Sequence, residues 1–264
     1  MADHRKFAAF ILSHGRPETV ITQRTLKHHG YTGRTYLIID DEDDTADEYR
    51  ANFGVENVIQ FDKAAIAGTF DTADTQQDRR SPIYARNACF GIARDLGLDY
   101  FLELDDDYGS FLYRSAEEGG AIIRNFDAVV EAMLAFLDDA GAVTVTMAQG
   151  GDFIGGVAAH AEGLKRKAMN SFFFRTDRPI TFIGSLNDDV NTYVVYGSRG
   201  DLFLTVASLQ LNQTQTQQVS GGITEFYLSA GTYVKSFYTV MMAPSCVRIR
   251  TMGRSSRRLH HSIS

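Results

Sequence analysis

The stretch "YFLELDDDYGSF", Tyr100 to Phe111, decides the fold. Five residues of mostly apolar character end in three consecutive aspartates, Asp105, Asp106 and Asp107, and an aromatic run resumes at once. Adjacent carboxylates repel one another unless water or a cation screens them. A continuous apolar run of this length reads as a strand buried on both faces, and open α/β sheets place their ligands at the carboxyl ends of such strands.

The residues before it support that position. Ser81-Pro82 is a fitting helix start, with Ser as N-cap and Pro at the first helical position. Tyr84, Ala85, Ala88, Cys89, Ile92, Ala93 and Leu96 follow at helical spacing, and Gly97 suits the stop. Further upstream, "FAAFIL" (Phe7–Leu12), "RTYLIID" (Arg34–Asp40) and "NVIQF" (Asn57–Phe61) are short apolar runs separated by helical stretches. The pattern is β-α-β-α-β, which implies an α/β fold with a mostly parallel, Rossmann-type sheet flanked by helices. Lys63 to Arg80 shows no periodicity and is expected to be a functional flap or loop.

Downstream, Arg124–Asp139 reads as an amphipathic helix and Ala142–Ala148 as a strand. The pattern then changes, and a smaller mixed sheet is expected in the C-terminal half. "GGDFIGG" reads as a loop, "SFFFR" as an aromatic strand, and "RPITFIG" as a strand leading to a helix near Asn187. "DLFLTVASLQL" reads as a strand, "QTQTQQ" as a loop or edge strand, "SGGITEFYLSAG" as a short helix, and "YVKSFYTVMMAP" and "CVRIR" as strands. Neither a linker nor a 20–50-residue repeat is evident. One domain over residues 1–264 is expected, with a half at 1–148 that binds nucleotide and a half at 149–264 that binds acceptor and carries a basic tail.

The chain has 264 residues and a formal net charge of −7, so bulk attraction to nucleic acid is not expected. The charge is uneven, however. Val247 to His261 holds five arginines, two histidines and no acid, which suits a phosphate or polyanion. The two cysteines, Cys89 and Cys246, have no metal or disulfide-framework spacing. With no signal-like N-terminus and no bilayer-length apolar run, a cytoplasmic location and no membrane partner are expected.

Asp105 and Asp107 form an Asp-x-Asp pair, which lets two carboxylates of one turn reach a single hard cation such as Mg²⁺ or Mn²⁺. The bland alternative is a solvated turn. A second acid pair, Asp188-Asp189, sits at a helix start, where helix capping competes with a role as general base.

"ARNACFGIARDLGLDYFLELDDD" resembles the stretch of GT-A glycosyltransferases in which an Ala-Arg-Asn helix leads to a strand ending in Asp-x-Asp. The matching residues are Ala85, Arg86, Asn87, Gly91, Ala93, Gly97, Tyr100, Phe101, Leu102, Asp105 and Asp107. "FIGSLNDDVNTYVVYGSRGDLFLTV" resembles the acceptor-side acid pair of those enzymes, with Asp-Asp in place of the expected Glu-Asp. The second half as a whole looks like the phage TET-associated glycosyltransferases, which act on hydroxymethylated pyrimidines in DNA.

The resemblance implies a GT-A-like fold and a nucleoside diphosphate sugar donor, with UDP-glucose the first choice. It implies a divalent cation on Asp105 and Asp107, joined by His260 or His261 of the tail. Donor contacts fall to Ser13, Arg16, Asp40, Asp41, Arg86, Asp106, Arg257 and Arg258. Asp189, beside Asp188, is the implied base of an inverting reaction, or orients the acceptor in a retaining one. The implied acceptor is 5-hydroxymethylcytosine in DNA, with Lys165, Arg166, Lys167 and Lys235 placed to contact the backbone. Two other readings compete. A sugar-1-phosphate nucleotidyltransferase should carry a Gly-rich basic loop after the first strand, and "SHGRPE" is not one. A non-catalytic carbohydrate- or DNA-binding module should bind without metal.

Overall fold

The structure is a computed structural model that describes residues 6–72, 79, 81–115, 119–149, 167–213, 232–251 and 259–264. Its centre is a nine-stranded sheet in the order β3-β2-β1-β4-β8-β7-β9-β5-β6. The strands are β1 (Phe7–Leu12), β2 (Arg34–Asp40), β3 (Val58–Phe61), β4 (Tyr100–Asp105), β5 (Tyr108–Ser115), β6 (Gly119–Ile122), β7 (Thr144–Gln149), β8 (Ser171–Arg175) and β9 (Phe203–Gln213).

The four strands β3, β2, β1 and β4 are parallel, and their cores are the short apolar runs of the sequence, interrupted by Gln60 in β3 and Glu103 in β4. Such runs form because both faces are covered. Ala9, Ile11, Leu37, Ile39, Leu102 and Leu104 pack on one face beneath α1 (Thr22–His28), α2 (Ala46–Phe53) and α5 (Phe126–Ala140). Ala8, Phe10, Ile38 and Phe101 pack on the other beneath α3 (Lys63–Ala67) and α4 (Ile83–Asp95). From β1 the chain goes to β2 on one side and later to β4 on the other. The crevice at the carboxyl ends of β1 and β4 is therefore the topological switch point.

The sheet becomes mixed beyond β4. β8 runs antiparallel to β4, β9 parallel to β7, and β5 antiparallel to β9. The smaller sheet is only β10 (Val247–Thr251) paired antiparallel with β11 (Leu259–Ile263), because β8 and β9 join the large one. Helix α6 (Asp188–Gly197) and helix α7 (Thr232–Met242) complete the described elements.

Several expectations change. Lys63 to Arg80 does not begin as a loop: Asp62 accepts the Ala65 N–H at 2.7 Å and caps α3. Helix α4 starts at Ile83 with Pro82 as its cap residue, and Ser81 Oγ reaches the Ile83 N–H at 3.4 Å. The hairpin β5–β6 follows the aspartates directly and was not expected.

"RPITFIG" forms no strand, because side chains take its backbone instead. The N–H of Thr181 donates to Tyr196 Oη and that of Phe182 to Asn87 Oδ1, at 3.0 and 2.7 Å. "YVKSFYTVMM" is helix, not strand. The buried positions are Ser236, Tyr238, Thr239 and Ala243, so its inner face is built largely of small and polar residues that an apolar pattern cannot reveal. The "GGDFIGG" loop, the "SGGITEFYLSAG" helix and most of "QTQTQQ" lie outside the described residues. No described helix is long and apolar enough to cross a membrane.

Candidate active site

The three aspartates meet three different environments. Along β4 alternate side chains face opposite sides of the sheet, so Asp105 points toward α4 and Asp106 toward α1 and α2. The turn is clamped by the start of α1. Thr22 Oγ1 donates to the Asp105 carbonyl at 2.7 Å and accepts the Tyr108 N–H at 2.9 Å, while the N–H groups of Ile21 and Thr22 reach the Asp106 carbonyl.

Asp106 is buried and answered by the protein itself. Arg16 grips it with two parallel bonds, Nε at 2.8 Å and Nη2 at 2.7 Å, and Ser13 Oγ donates to the same carboxylate. Ser13 is held in turn by Tyr49 Oη at 2.6 Å. Asp106 thus fixes both Ser13 and Arg16.

Asp105 and Asp107 converge. Gln213 Nε2, at the end of β9, lies 3.5 Å from Asp105 Oδ2 and 3.4 Å from Asp107 Oδ2. The amide is oriented by Asn170, whose Nδ2 donates to Gln213 Oε1 at 3.1 Å. Two carboxylates aimed at one donor mark a point where positive charge is wanted. Burial, with Asp105 and Asp106 adding repulsion, pushes the Asp107 carboxyl up to about 7. Two carboxylates at one turn are a hard-cation donor set, and their convergence fits one.

Asp105 has a second partner. Arg86 of α4 is 3% exposed, and its Nη2 stands 3.5 Å from Asp105 Oδ1. Its Nη1 donates to Asp188 Oδ2 at 2.6 Å. The guanidinium lies over the rings of Phe172 and Phe182, at 5.3 and 5.6 Å. One buried arginine therefore ties the Asp-x-Asp turn to the acid pair of the other half. Burial works against its charge, but Asp188 and Asp105 outweigh that and raise its pKa. Beneath it on β4, burial pushes Glu103 well up, which favours its neutral form.

The acid pair opens α6. Asn187 takes the left-handed conformation, φ 55°, and turns the chain into the helix. Its side chain donates to Lys235 O at 3.1 Å and Thr239 Oγ1 at 2.9 Å, which locks the helix start onto α7. Gly184 is required just upstream: with φ +77°, a Cβ there would lie 2.7 Å from Asn191 Nδ2. Asp189 accepts its own Val190 N–H at 2.8 Å, which fixes the carboxylate at the helix start. Burial raises the Asp188 carboxyl even beside Arg86.

On the other flank, Asp40 at the end of β2 is 4% exposed and fully engaged. It bonds His14 Nδ1 at 2.8 Å, Lys63 Nζ at 3.1 Å and the Glu42 N–H at 3.2 Å. Asp41 is exposed and accepts the Lys63 N–H at 2.8 Å.

The tail histidines lie on β11, where His260 pairs with Arg250 and His261 with Ile249. Among the described residues no three His, Cys, Asp or Glu side chains are grouped closely enough to hold a metal. His261 instead feels Lys167 and Lys235: burial first, then His260 and these lysines, lower it to about 4. Lys165, Arg166, Arg257 and Arg258 lie outside the described residues.

The sequence profile of the TET-associated glycosyltransferases matches residues 7–222. The chain belongs to that family. The match takes in every strand of the large sheet, and α7 and the β10–β11 hairpin lie beyond it. A search of the curated proteins finds no match. Among solved structures, this glycosyltransferase is similar to glucosyl-3-phosphoglycerate synthase from Mycobacterium tuberculosis. The complex of that enzyme with Mg²⁺ and uridine diphosphate gives a TM-score of 0.53 at 9% identity, over 98% of this chain and 88% of that one. Its complex with Mn²⁺, UDP-glucose and phosphoglyceric acid gives 0.52 at 9%, over 99% and 88%. At such identity the likeness is one of fold, and the fold is GT-A.

The structure also brings to the candidate site residues that the motifs did not point to: His14, Tyr49, Lys63 and Gln213. His14 had a readable signal, a titratable residue two positions past a strand that ends at the switch point. Gln213 had none, since its role depends on how β9 pairs across the sheet.

Proposed function

We propose that this glycosyltransferase moves a sugar from a nucleoside diphosphate sugar, UDP-glucose, to the hydroxymethyl group of 5-hydroxymethylcytosine in DNA. The observation that carries the reading is Arg86, which joins Asp105 to Asp188 and so makes one site of two distant acid clusters.

Asp105 and Asp107 would hold Mg²⁺ or Mn²⁺, with His260 or His261 as further ligands. A cation there supplies positive charge to the diphosphate oxygens. A neighbour in fold was solved with Mg²⁺ and uridine diphosphate and with Mn²⁺ and UDP-glucose, which supports this choice. Ser13, Arg16 and Asp41 face the donor, and Asp106 acts through Ser13 and Arg16 by fixing them. The acceptor oxygen attacks the anomeric carbon as the bond to the diphosphate breaks. Asp189 accepts the hydroxyl proton. Asp188 is already committed to Arg86 and positions the helix start. Arg257 and Arg258 neutralise the departing diphosphate. Lys165, Arg166, Lys167 and Lys235 bind the DNA backbone, and the modified base is taken out of the stack to reach Asp189.

The test is release of uridine diphosphate from UDP-glucose with Mn²⁺, with and without DNA containing 5-hydroxymethylcytosine. Metal-dependent release that rises with the modified DNA is expected. Absence of release from any common sugar nucleotide, with no metal dependence, rejects the reading. Binding of DNA that survives Asp107→Ala without any transfer by the parent protein favours a non-catalytic module.

A further inference from the structure

Resting on the nucleoside diphosphate donor proposed above, the geometry points to His14 as the residue that reads the donor base, its Nε2 meeting O4 of a uracil-type ring. Asp40 is then a positioning residue that does not touch the donor.

The argument begins with Asp40. An acid at the end of β2 faces the switch-point crevice, but this one is closed to a ligand. One oxygen is taken by His14 Nδ1, the other by Lys63 Nζ and the Glu42 N–H, and the residue is 4% exposed. What the crevice meets instead is the imidazole in front of it. The His14 side chain is 48% exposed. With Nδ1 fixed on Asp40, the planar ring must turn Nε2 away from the carboxylate. Among the described residues Nε2 has no hydrogen-bond partner. A histidine anchored in this way presents one oriented polar atom.

The position suits a base. β1 lies next to β4, and β2 next to β1. Strands are spaced about 4.8 Å apart, so the His14–Asp40 pair stands one to two spacings, roughly 5–10 Å, from the Asp105–Asp107 turn. That is the direction and order of distance by which a nucleoside extends from its diphosphate.

The chemistry then selects the base. His14 faces Asp40 and Asp43, with Asp43 Oδ2 at 3.7 Å, and also Lys63, whose Nζ reaches Glu42 at 4.0 Å. The Asp40 hydrogen bond is the largest influence and raises the His14 pKa against burial and Lys63, with Asp43 adding to the rise. Protonated, Nε2–H is a donor and matches the O4 acceptor of uracil. Cytosine offers an amino donor at the same place, and two donors repel. Deprotonated with Nδ1–H still on Asp40, Nε2 becomes an acceptor and the match reverses.

The experiment measures dissociation constants of UDP and CDP with Mn²⁺ by calorimetry from pH 6 to 9, for the parent protein, His14→Ala and His14→Gln. The ratio of the two constants is read, because titration of the diphosphate and of the metal ligands affects both nucleotides alike. The parent is expected to prefer UDP by about tenfold at pH 6, the size of one satisfied against one clashing hydrogen bond. The preference should narrow and then reverse toward CDP as pH rises through the His14 pKa. His14→Ala should bind both with a ratio near one at every pH. His14→Gln can present either amide atom, so its ratio should not change with pH. A pH-dependent preference that survives His14→Ala, or a parent ratio near one throughout, overturns the inference alone. Failure of the parent to bind either nucleotide overturns the donor reading and this inference with it.

Discussion

The two acid clusters of this molecule are compensated in opposite ways. Asp188 comes with its own cation, Arg86, at 2.6 Å, and the pair is buried against two phenylalanine rings. Asp107 meets the neutral Gln213 amide at 3.4 Å, and its carboxyl is pushed to about 7 by burial and by its two neighbouring aspartates. Asp106, between Asp105 and Asp107 in sequence, is closed off by Arg16 and Ser13. A carboxylate paired closely with its own cation can hold geometry, while carboxylates that still repel one another, as Asp105 and Asp107 do, gain from a bound cation. The difference separates a framework, Arg86–Asp188, from a receiving site, Asp105–Asp107.

The largest effect should come from the receiving site. Asp107→Ala removes half of the convergent pair and is expected to lower transfer by at least about 10³-fold, since electrostatic stabilisation of the departing diphosphate goes with it. Folding should be intact, because the change relieves repulsion. Uridine diphosphate release and thermal unfolding, measured together, check both halves of this statement. Loss of activity with equal loss of fold would place Asp107 in the framework instead.

Next is Asp189→Asn. Asn still accepts the Val190 N–H, so the helix start survives. It cannot take a proton, and a fall in kcat on the order of 10²-fold is expected, with the donor KM unchanged. A KM effect with kcat preserved would reduce Asp189 to a cap.

The framework should break differently. Arg86→Leu leaves Asp188 buried without its partner and is expected to cost about 3–5 kcal/mol of stability, read by chemical denaturation. Arg86→Leu with Asp188→Leu removes both charges and should be less destabilised than the single change. If the double variant is no better, the aromatic rings rather than the ion pair hold Arg86 in place.

The same contrast explains what could be read from the sequence. β1, β2 and β4 were legible because each is buried on both faces and so almost wholly apolar, and β3 because a short apolar run lies at the same spacing. Asp105, Asp107 and the Asp188–Asp189 pair stood out because charge is conspicuous at the ends of such elements, and Arg86 through the Ala-Arg-Asn resemblance. β5 was not, since one of its two partners, β9, lies about a hundred residues on, and nothing local announces the pairing Tyr108 to Gln213. Helix α7 was misread because two of its three buried positions, Ser236 and Thr239 beside Tyr238, are polar, while Tyr233, Phe237 and Met241 point outward. His14 and Lys63 were missed because a local pattern does not show that Asp40 is turned inward to meet them.

The smallest expected effect tests the receiving site without any chemistry. In the metal-free protein the Asp107 carboxyl titrates near 7, well above the ordinary carboxylate range reached on unfolding. Between those two values the folded state holds a proton that the unfolded state has released, so stability from this group is full at acid pH and is lost as pH rises through about 7. Thermal unfolding of the metal-free protein should therefore fall by about 2–4 °C between pH 5 and pH 8, the shift that roughly 1 kcal/mol produces in a domain of this length. Mn²⁺ should restore that loss at pH 8 and do little at pH 5, where the proton competes with the metal. Asp107→Asn should reduce the pH dependence and remove the response to Mn²⁺, whereas Asp188→Asn should leave the Mn²⁺ response in place. If both variants abolish the response equally, the two clusters are one electrostatic unit joined through Arg86, and the division between framework and receiving site fails.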